Sequence, residues 1–174
     1  MDDLRLHSKY SRHTDDAAAV FACIPNLAEF YDEKYQGGQE MLLVLNEIFA
    51  DFAHQLASVQ YREVEKIKSN GACFMVASGL NMTDRRRNRR PDTHLHALID
   101  FALDPIHTLD DFNWQIFNFQ FEMKVGYNIG EVTVGVIGTT KLLYDIWVDK
   151  VNVASRMYST GQKGRIQVTE AVGK

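Results

Sequence analysis

The stretch Tyr144-Asp145-Ile146-Trp147-Val148-Asp149-Lys150-Val151-Asn152-Val153-Ala154-Ser155-Arg156-Met157 places a carboxylate, an amide and a guanidinium at spacings that chemistry can use. Asn152 and Arg156 are four residues apart. On a helix capped by Asp149 their side chains leave the same face, one turn apart. Two donors on one face suit an anionic, oxygen-rich ligand. Asp145 lies just upstream in an apolar, strand-like segment (Leu142, Leu143, Tyr144, Ile146, Trp147) that would hold its carboxylate beside that ligand. The same pattern also describes an ordinary buried strand-to-helix corner with Arg156 in solvent, so these residues alone do not decide.

The elements that would position them can be read along the chain. Ala17 to Ile24 is a continuous apolar run closed by Pro25, as in a central buried strand. Leu27 to Tyr35 and Gln39 to Ser58 have helical spacing, with Gly37-Gly38 as the break. Tyr61 to Ser69 alternates, Asn70-Gly71 signals a hairpin, and Ala72 to Ala77 is the return strand. A polar loop with Arg85, Arg86, Arg87, Arg89 and Arg90 reads as a solvated run. It precedes a helix over Thr93 to Leu103 that Pro105 interrupts or ends. Phe117 to Asn128 alternates and Val132 to Ile137 follows Gly130, which predicts a second hairpin; Arg165 to Val168 is a last short strand. The first six elements match the βαββαβ ferredoxin-like pattern. The expectation is an α+β domain: an antiparallel sheet with helices packed on it and an added strand-helix-strand extension. Residues 1–16 read as a flexible N-terminal segment, and 17–174 as the domain.

At 174 residues with 45% hydrophobic content, the chain can bury one substantial core. A net charge of −4 argues against a protein that coats nucleic acid. No RNP-type aromatic and basic motif falls on a central strand, which speaks against an RNA-binding domain of related architecture. Cys23 and Cys73 both lie in apolar runs, where a reduced buried thiol is usual, and this favours a reducing compartment. No apolar run reaches the roughly 20 residues needed to span a bilayer. His94 and His96 are two apart and make a poor metal pair on a helix.

Taken together, Val20-Phe21-Ala22-Cys23-Ile24, Glu65-Lys66-Ile67-Lys68, Phe74-Met75-Val76-Ala77-Ser78-Gly79-Leu80, Gly126-Tyr127-Asn128-Ile129-Gly130, Gly135-Val136-Ile137-Gly138, Tyr144-Asp145-Ile146-Trp147 and Val151 to Met157 resemble the class III nucleotidyl cyclase catalytic domain. The resemblance is closest to the second cytosolic domain of animal transmembrane adenylyl cyclases, and Gly138 to Trp147 looks most like the type nine members. It implies an adenylate cyclase, converting ATP to cyclic AMP and pyrophosphate, within a cytosolic domain of a plasma-membrane protein in G-protein-linked signalling. It covers the chain from about Ala17 onward and suggests a domain truncated at its C-terminus, short of a further triphosphate-contacting lysine.

In this family two homologous domains pack head to tail, and ATP binds between them. The resemblance puts Cys23 and Ala72 where the family carries its metal-binding aspartates. Neither can ligate Mg²⁺, which takes hard oxygen ligands. The implied role is therefore the complementing half, with Mg²⁺ or Mn²⁺ supplied through a metal-bearing partner domain and none bound by this chain alone. By the same matching Lys68 and Asp145 read adenine, Asn152 orients the ribose, and Arg156 stabilises charge on the α-phosphate. Val148 stands where the family usually has Gly, and Lys150 where it has Thr. Ala72 and Asn70 replace residues that help hold the diterpene forskolin in the pseudo-symmetric second pocket, which implies a weak response to it. The stimulatory G-protein α subunit would meet the Gln39 to Ser58 helix and the Asp111 to Phe117 region. The alternative is a catalytically inactive cyclase-like dimerisation or regulatory module.

Overall fold

The computed structural model describes residues 11–30, 39–88, 90–115, 120–137, 143–147, 149–170 and 172; at 11, 136, 137, 143–147 and 149–152 it describes the backbone alone. β1 (Ser11–Cys23) is the central strand, paired antiparallel with β3 (Cys73–Ser78) on one side and β4 (Lys124–Ile137) on the other. β2 (Val64–Asn70) extends the sheet beyond β3. β5 (Leu143–Trp147) pairs antiparallel with the far half of β4, and β6 (Ile166–Val168) pairs parallel with its near half. The order β2-β3-β1-β4 is that of the ferredoxin-like pattern, with β5, a helix and β6 as the extension. The helices are α1 (Gln39–Leu56), the single turn α2 (Met82–Arg85), α3 (Thr93–Gln115) and α4 (Asp149–Thr160).

The apolar run of β1 is buried on both faces, as its composition requires. Ala18, Val20, Ala22 and Ile24 join Phe74 and Val76 of β3 in the main core, against Ile48, Phe49 and Phe52 of α1 and Leu98, Phe101 and Leu109 of α3. The alternate positions Ala17, Met75 and Ala77 join Ile67, Leu80, Val132 and Val134 in a second cluster. Side chains of one strand alternate between faces, so this cluster lies on the opposite side of the sheet from α1 and α3.

β1 is bent. Its register with β4 breaks between Thr14 and Ala17, which leaves Asp15 and Asp16 as a bulge. Beyond the bulge Ser11 to Thr14 pair with Val132 to Gly135, and β5 is carried on that half of β4. The sheet curls enough for β5 to pack against β2, although the two stand at opposite ends of the strand order. Two contacts fasten the bulge. The Arg85 guanidinium donates to the Asp16 carboxylate at 2.5 Å, and His94 Nε2 donates to the Asp16 carbonyl at 2.8 Å. His94 is fully buried, and Gly79 makes room for it: at φ +82°, a Cβ there would sit 2.7 Å from the imidazole.

Several boundaries differ from expectation, each for a physical reason. The flexible segment expected over residues 1–16 is strand from Ser11, because pairing with β4 satisfies a polar stretch that shows no apolar alternation. The turn expected at Gly130 is absent; Gly130 stands opposite Ala17 beside the bulge, where the strand bends and continues. Phe121 and Met123 precede β4 as buried core residues, and 117–119 lie outside the described residues. α3 runs through Pro105, whose buried ring sits between Phe101 and Leu109, so packing on both flanks offsets the lost N–H. Of the helix expected over Leu27 to Tyr35, a 3₁₀ turn at Leu27–Phe30 is described and the remainder lies outside. The β2–β3 loop is Gly71-Ala72, one residue on from the expected pair, with Gly71 at φ +55°.

The cysteines are corrected outright. Cys23 and Cys73 are joined in a disulfide, with Cα atoms 4.1 Å apart. The β1–β3 register sets them directly opposite each other, a relation that their separation in sequence does not reveal.

The arginine run is only partly a solvated loop. Arg85 is committed to Asp16, and Arg87 pairs with Asp84 at 3.7 Å, while Arg89 lies outside the described residues. The hydrogen bond from Arg85 holds the Asp16 carboxyl below its ordinary value of 3.8, with burial acting in opposition. A lowered folded-state value contributes stability that is present above the unfolded value and is lost as pH falls through the folded one. Asp16→Asn should therefore lower the urea midpoint at about pH 7, and the gap from the parent should be narrower at a second pH well below 3.8. An equal gap at both pH values would assign the loss to something other than this ion pair.

Candidate active site

Lys68 owes its position to a second bulge. Lys66 stands opposite Val76 on the helix-covered face, and its ammonium lies 4.9 Å from the centre of the Phe74 ring. Register then shifts between Lys66 and Lys68, so Lys68 stands opposite Met75 rather than Phe74. Directly opposed residues share a face. The bulge therefore re-aims Lys68 from the main core to the other side of the sheet, where it is exposed.

From Met75 a single cross-strand row continues to Phe21 on β1, Gly126 on β4 and Gln167 on β6. α4 stands on the far part of this row. A Cβ at Gly126 would lie 2.2 Å from the Ala154 carbonyl and 2.4 Å from the Tyr158 amide, so the helix backbone rests directly on the strand. Tyr158 stacks on Phe21 with ring centres 6.3 Å apart, and Ala154 is fully buried beneath the helix. Lys68 and the Gly126 seat are three strand spacings apart, roughly 14 Å.

α4 carries the two donors singled out in the sequence. Asn152 and Arg156 lie one turn apart in it, and Arg156 is exposed, with its carbonyl accepting from the Ser159 and Thr160 hydroxyls at 2.9 Å each. Asp145 stands opposite Gly135 in β5, the strand that packs against β2. The structure thus brings Lys68 and the helix of Asn152 and Arg156 to one face of the sheet, and the strand of Asp145 beside β2. The side chains of Asp145, Asn152 and Lys150 lie outside the described part, as does Val148.

The positions of Cys23 and Ala72 do not fit a hard divalent ion. The Cys23 sulfur is consumed in the disulfide, and Ala72 has no donor atom. Among the described residues no group of three or more His, Cys, Asp or Glu side chains converges as a metal site. A groove on the opposite side of the sheet is lined by Asp51, His54 and Gln55 of α1 and Thr108, Asp111 and Gln115 of α3. Gln55 donates to Thr108 across it at 2.5 Å. Trp114, 80% exposed, stands nearby.

Two of the positioning residues were not singled out for this role in the sequence. Gly126 lies inside an otherwise apolar alternation, the signal of a close backbone approach. Phe21 carries no such signal, being one more residue of the apolar run Ala17 to Ile24.

Residues 9–174 match the family model described as the adenylate and guanylate cyclase catalytic domain. The chain belongs to that family. Among its relatives, adenylate cyclase type 9 of Gallus gallus is 47% identical over 169 residues, covering 97% of this chain and 13% of the chicken protein. The corresponding Xenopus laevis protein is 46% identical with the same coverage. This chain therefore spans only about an eighth of the relatives it matches, 13% of each. Among solved structures, the catalytic core of a rhodopsin-guanylyl cyclase with converted specificity, in complex with ATPαS, superposes with a TM-score of 0.70 at 25% identity. That superposition covers 92% of this chain and 80% of the other.

The seat predicts a sharp steric response. Gly126→Ala must push α4 off the strand and is expected to cost about 1–3 kcal/mol in urea unfolding, with Gly126→Val costing more. Unchanged stability in both variants would mean that the helix does not rest on β4 as described.

Proposed function

We propose that this chain is the complementing half of a dimeric adenylate cyclase, converting ATP to cyclic AMP and pyrophosphate at an interface with a homologous, metal-bearing domain. The observation that carries this reading is the row from Lys68 to Gly126, which sets Lys68 at one end and the helix of Asn152 and Arg156 at the other. Lys68 would donate to adenine ring N1 and Asp145 would accept from the exocyclic amine; guanine presents the reverse pattern at those atoms. Asn152 would hold the ribose in line, and Arg156 would neutralise charge growing on the α-phosphate as the 3′-oxygen displaces pyrophosphate. Mg²⁺ or Mn²⁺ bound by the partner domain would supply activation of the 3′-hydroxyl and charge neutralisation at the phosphates.

The 47% identity to an adenylate cyclase over nearly the whole chain supports the choice of ATP over GTP. The groove between α1 and α3 lies on the side away from the nucleotide residues and is the surface on which a stimulatory G-protein α subunit would act. No helix among the described residues is long and apolar enough to cross a membrane, which agrees with a cytosolic domain attached to membrane spans elsewhere in a longer protein.

The deciding experiment mixes this chain with a metal-bearing first cyclase domain and follows cyclic AMP. Arg156→Ala should lower kcat by about 10²–10³-fold, as loss of a transition-state charge donor does. Equal turnover with and without Arg156 would favour the inactive dimerisation module instead. Lys68→Glu combined with Asp145→Cys should shift preference from ATP towards GTP, and an unshifted ratio of kcat/KM values would remove the base-reading assignment.

A further inference from the structure

The disulfide occupies a position that the proposed chemistry does not use. The Ile24 amide donates to the Ala72 carbonyl at 2.9 Å, so the facing residues Cys23 and Cys73 form a non-hydrogen-bonded antiparallel pair. In such pairs opposed side chains approach most closely. The bridge therefore needs no displacement of the sheet to form or to open. It also lies at the margin of the fold: Cys23 ends β1, Cys73 begins β3, and the next two residues back are the Gly71-Ala72 loop. Cys23 is 1% exposed, whereas Cys73 is only half-buried, so the two sulfurs differ in access.

Register ties this bridge to Lys68. The cross-strand row through the disulfide is Asn70, Cys73, Cys23 and Lys124. The row of Lys68, Met75, Phe21 and Gly126 is the next one on the same face, two residues along β1 and β3. The bridge thus clamps β3 to β1 one row from the residue assigned to the base. It encloses a loop with a sequence separation of 50 that contains α1 and all of β2. At the other end of its row stands Lys124.

We propose that Cys23–Cys73 is a reversible thiol–disulfide site whose co-reactant is a low-molecular-weight thiol, and that its oxidised form locks the β2–β3 hairpin and so tightens ATP binding. The second part rests on the assignment of Lys68 made above. An incoming thiolate attacks the more accessible Cys73 sulfur, the S–S bond breaks, and Cys23 leaves as a thiolate in the row of Lys124. A second thiolate then attacks the external sulfur of the mixed disulfide and releases Cys73. Two external thiols become one external disulfide, and their two electrons and two protons reside on Cys23 and Cys73. Re-oxidation by a small disulfide runs the same steps in reverse.

The test uses the whole chain in buffers stepped from oxidised to reduced glutathione. Thiols are counted by alkylation and mass, and amide hydrogen exchange is followed without nucleotide or partner. Two thiols should appear on reduction and disappear on re-oxidation. Hairpin amides from Lys66 to Val76 should exchange at least about tenfold faster when reduced, with the α3 core amides unchanged. With the metal-bearing partner added, reduction should raise the KM for ATP about three- to tenfold at constant kcat. Cys23→Ser/Cys73→Ser should stay at the reduced values whatever the buffer; if it does not fold, the reduced and alkylated parent takes its place. Thiols that glutathione cannot release, hairpin exchange indifferent to redox state, or a KM equal in both states would each overturn the proposal. Absence of turnover in every state would instead count against the cyclase assignment, because the thiol and exchange readings do not depend on activity.

Discussion

The register of β1 is the constraint on which the rest of the molecule depends. It is paired on both sides and buried on both faces, so a slip of one residue against either neighbour would exchange the contents of the two cores. The sizes of its side chains make that exchange costly. Val20 and Ile24 fill the side covered by α1 and α3, whereas on the other side Ala17 and Ala19 are small and Phe21 packs against Tyr158 of α4. Its pairing with β3 opposes Cys23 to Cys73 and its pairing with β4 opposes Phe21 to Gly126, so bridge and helix seat are set by the two edges of one strand.

Two irregularities in this otherwise regular sheet do the positioning. The bulge at Asp15 and Asp16 bends β1 so that β4 carries β5 back towards β2. The bulge at Ile67 moves Lys68 to the face on which α4 rests. The first is fixed by polar contacts and the second by packing. Asp16 is tied to Arg85 and His94, and Ile67 is buried with Met75 and Ala77. A sheet without bulges would leave Lys68 opposite Phe74 and β5 far from β2, with the same residues present and Lys68 on the other face.

This explains which features were legible in the sequence. Element types were readable wherever one periodicity dominated: the double-faced run at Ala17 to Ile24, the helical spacing of Leu45, Ile48, Phe49 and Phe52, and the glycine turn after Asn70. The α+β pattern and its strand order followed from them. What was not legible depends on partners distant in sequence. Ser11 to Thr14 form a strand because β4 is there to pair with them, and Gly130 bends without turning because Ala17 faces it. Pro105 stays helical because residues on both flanks are buried. The disulfide is the clearest case, since two cysteines in apolar runs describe buried thiols equally well until strand register brings them together. At the site, the Asn152 and Arg156 spacing was visible as a pair, but not that Gly126 and Phe21 would form the floor beneath it.

That floor limits how the site can vary. A helix whose backbone touches a strand glycine cannot be moved by changing side chains elsewhere in the helix, because the contact involves the Ala154 carbonyl and the Tyr158 amide themselves. Asn152 and Arg156 are thus held by groups present at any sequence, provided position 126 lacks a Cβ. Lys68, by contrast, is held by the β2 bulge and by whatever couples β3 to β1, and one such coupling is the Cys23–Cys73 bond. The phosphate-facing end of the proposed site is therefore built on rigid backbone contact, and the base-facing end on a covalent link that, under the proposed exchange, a small thiol would open. A redox change acting through this chain would be felt in nucleotide affinity before it reached the geometry of Arg156.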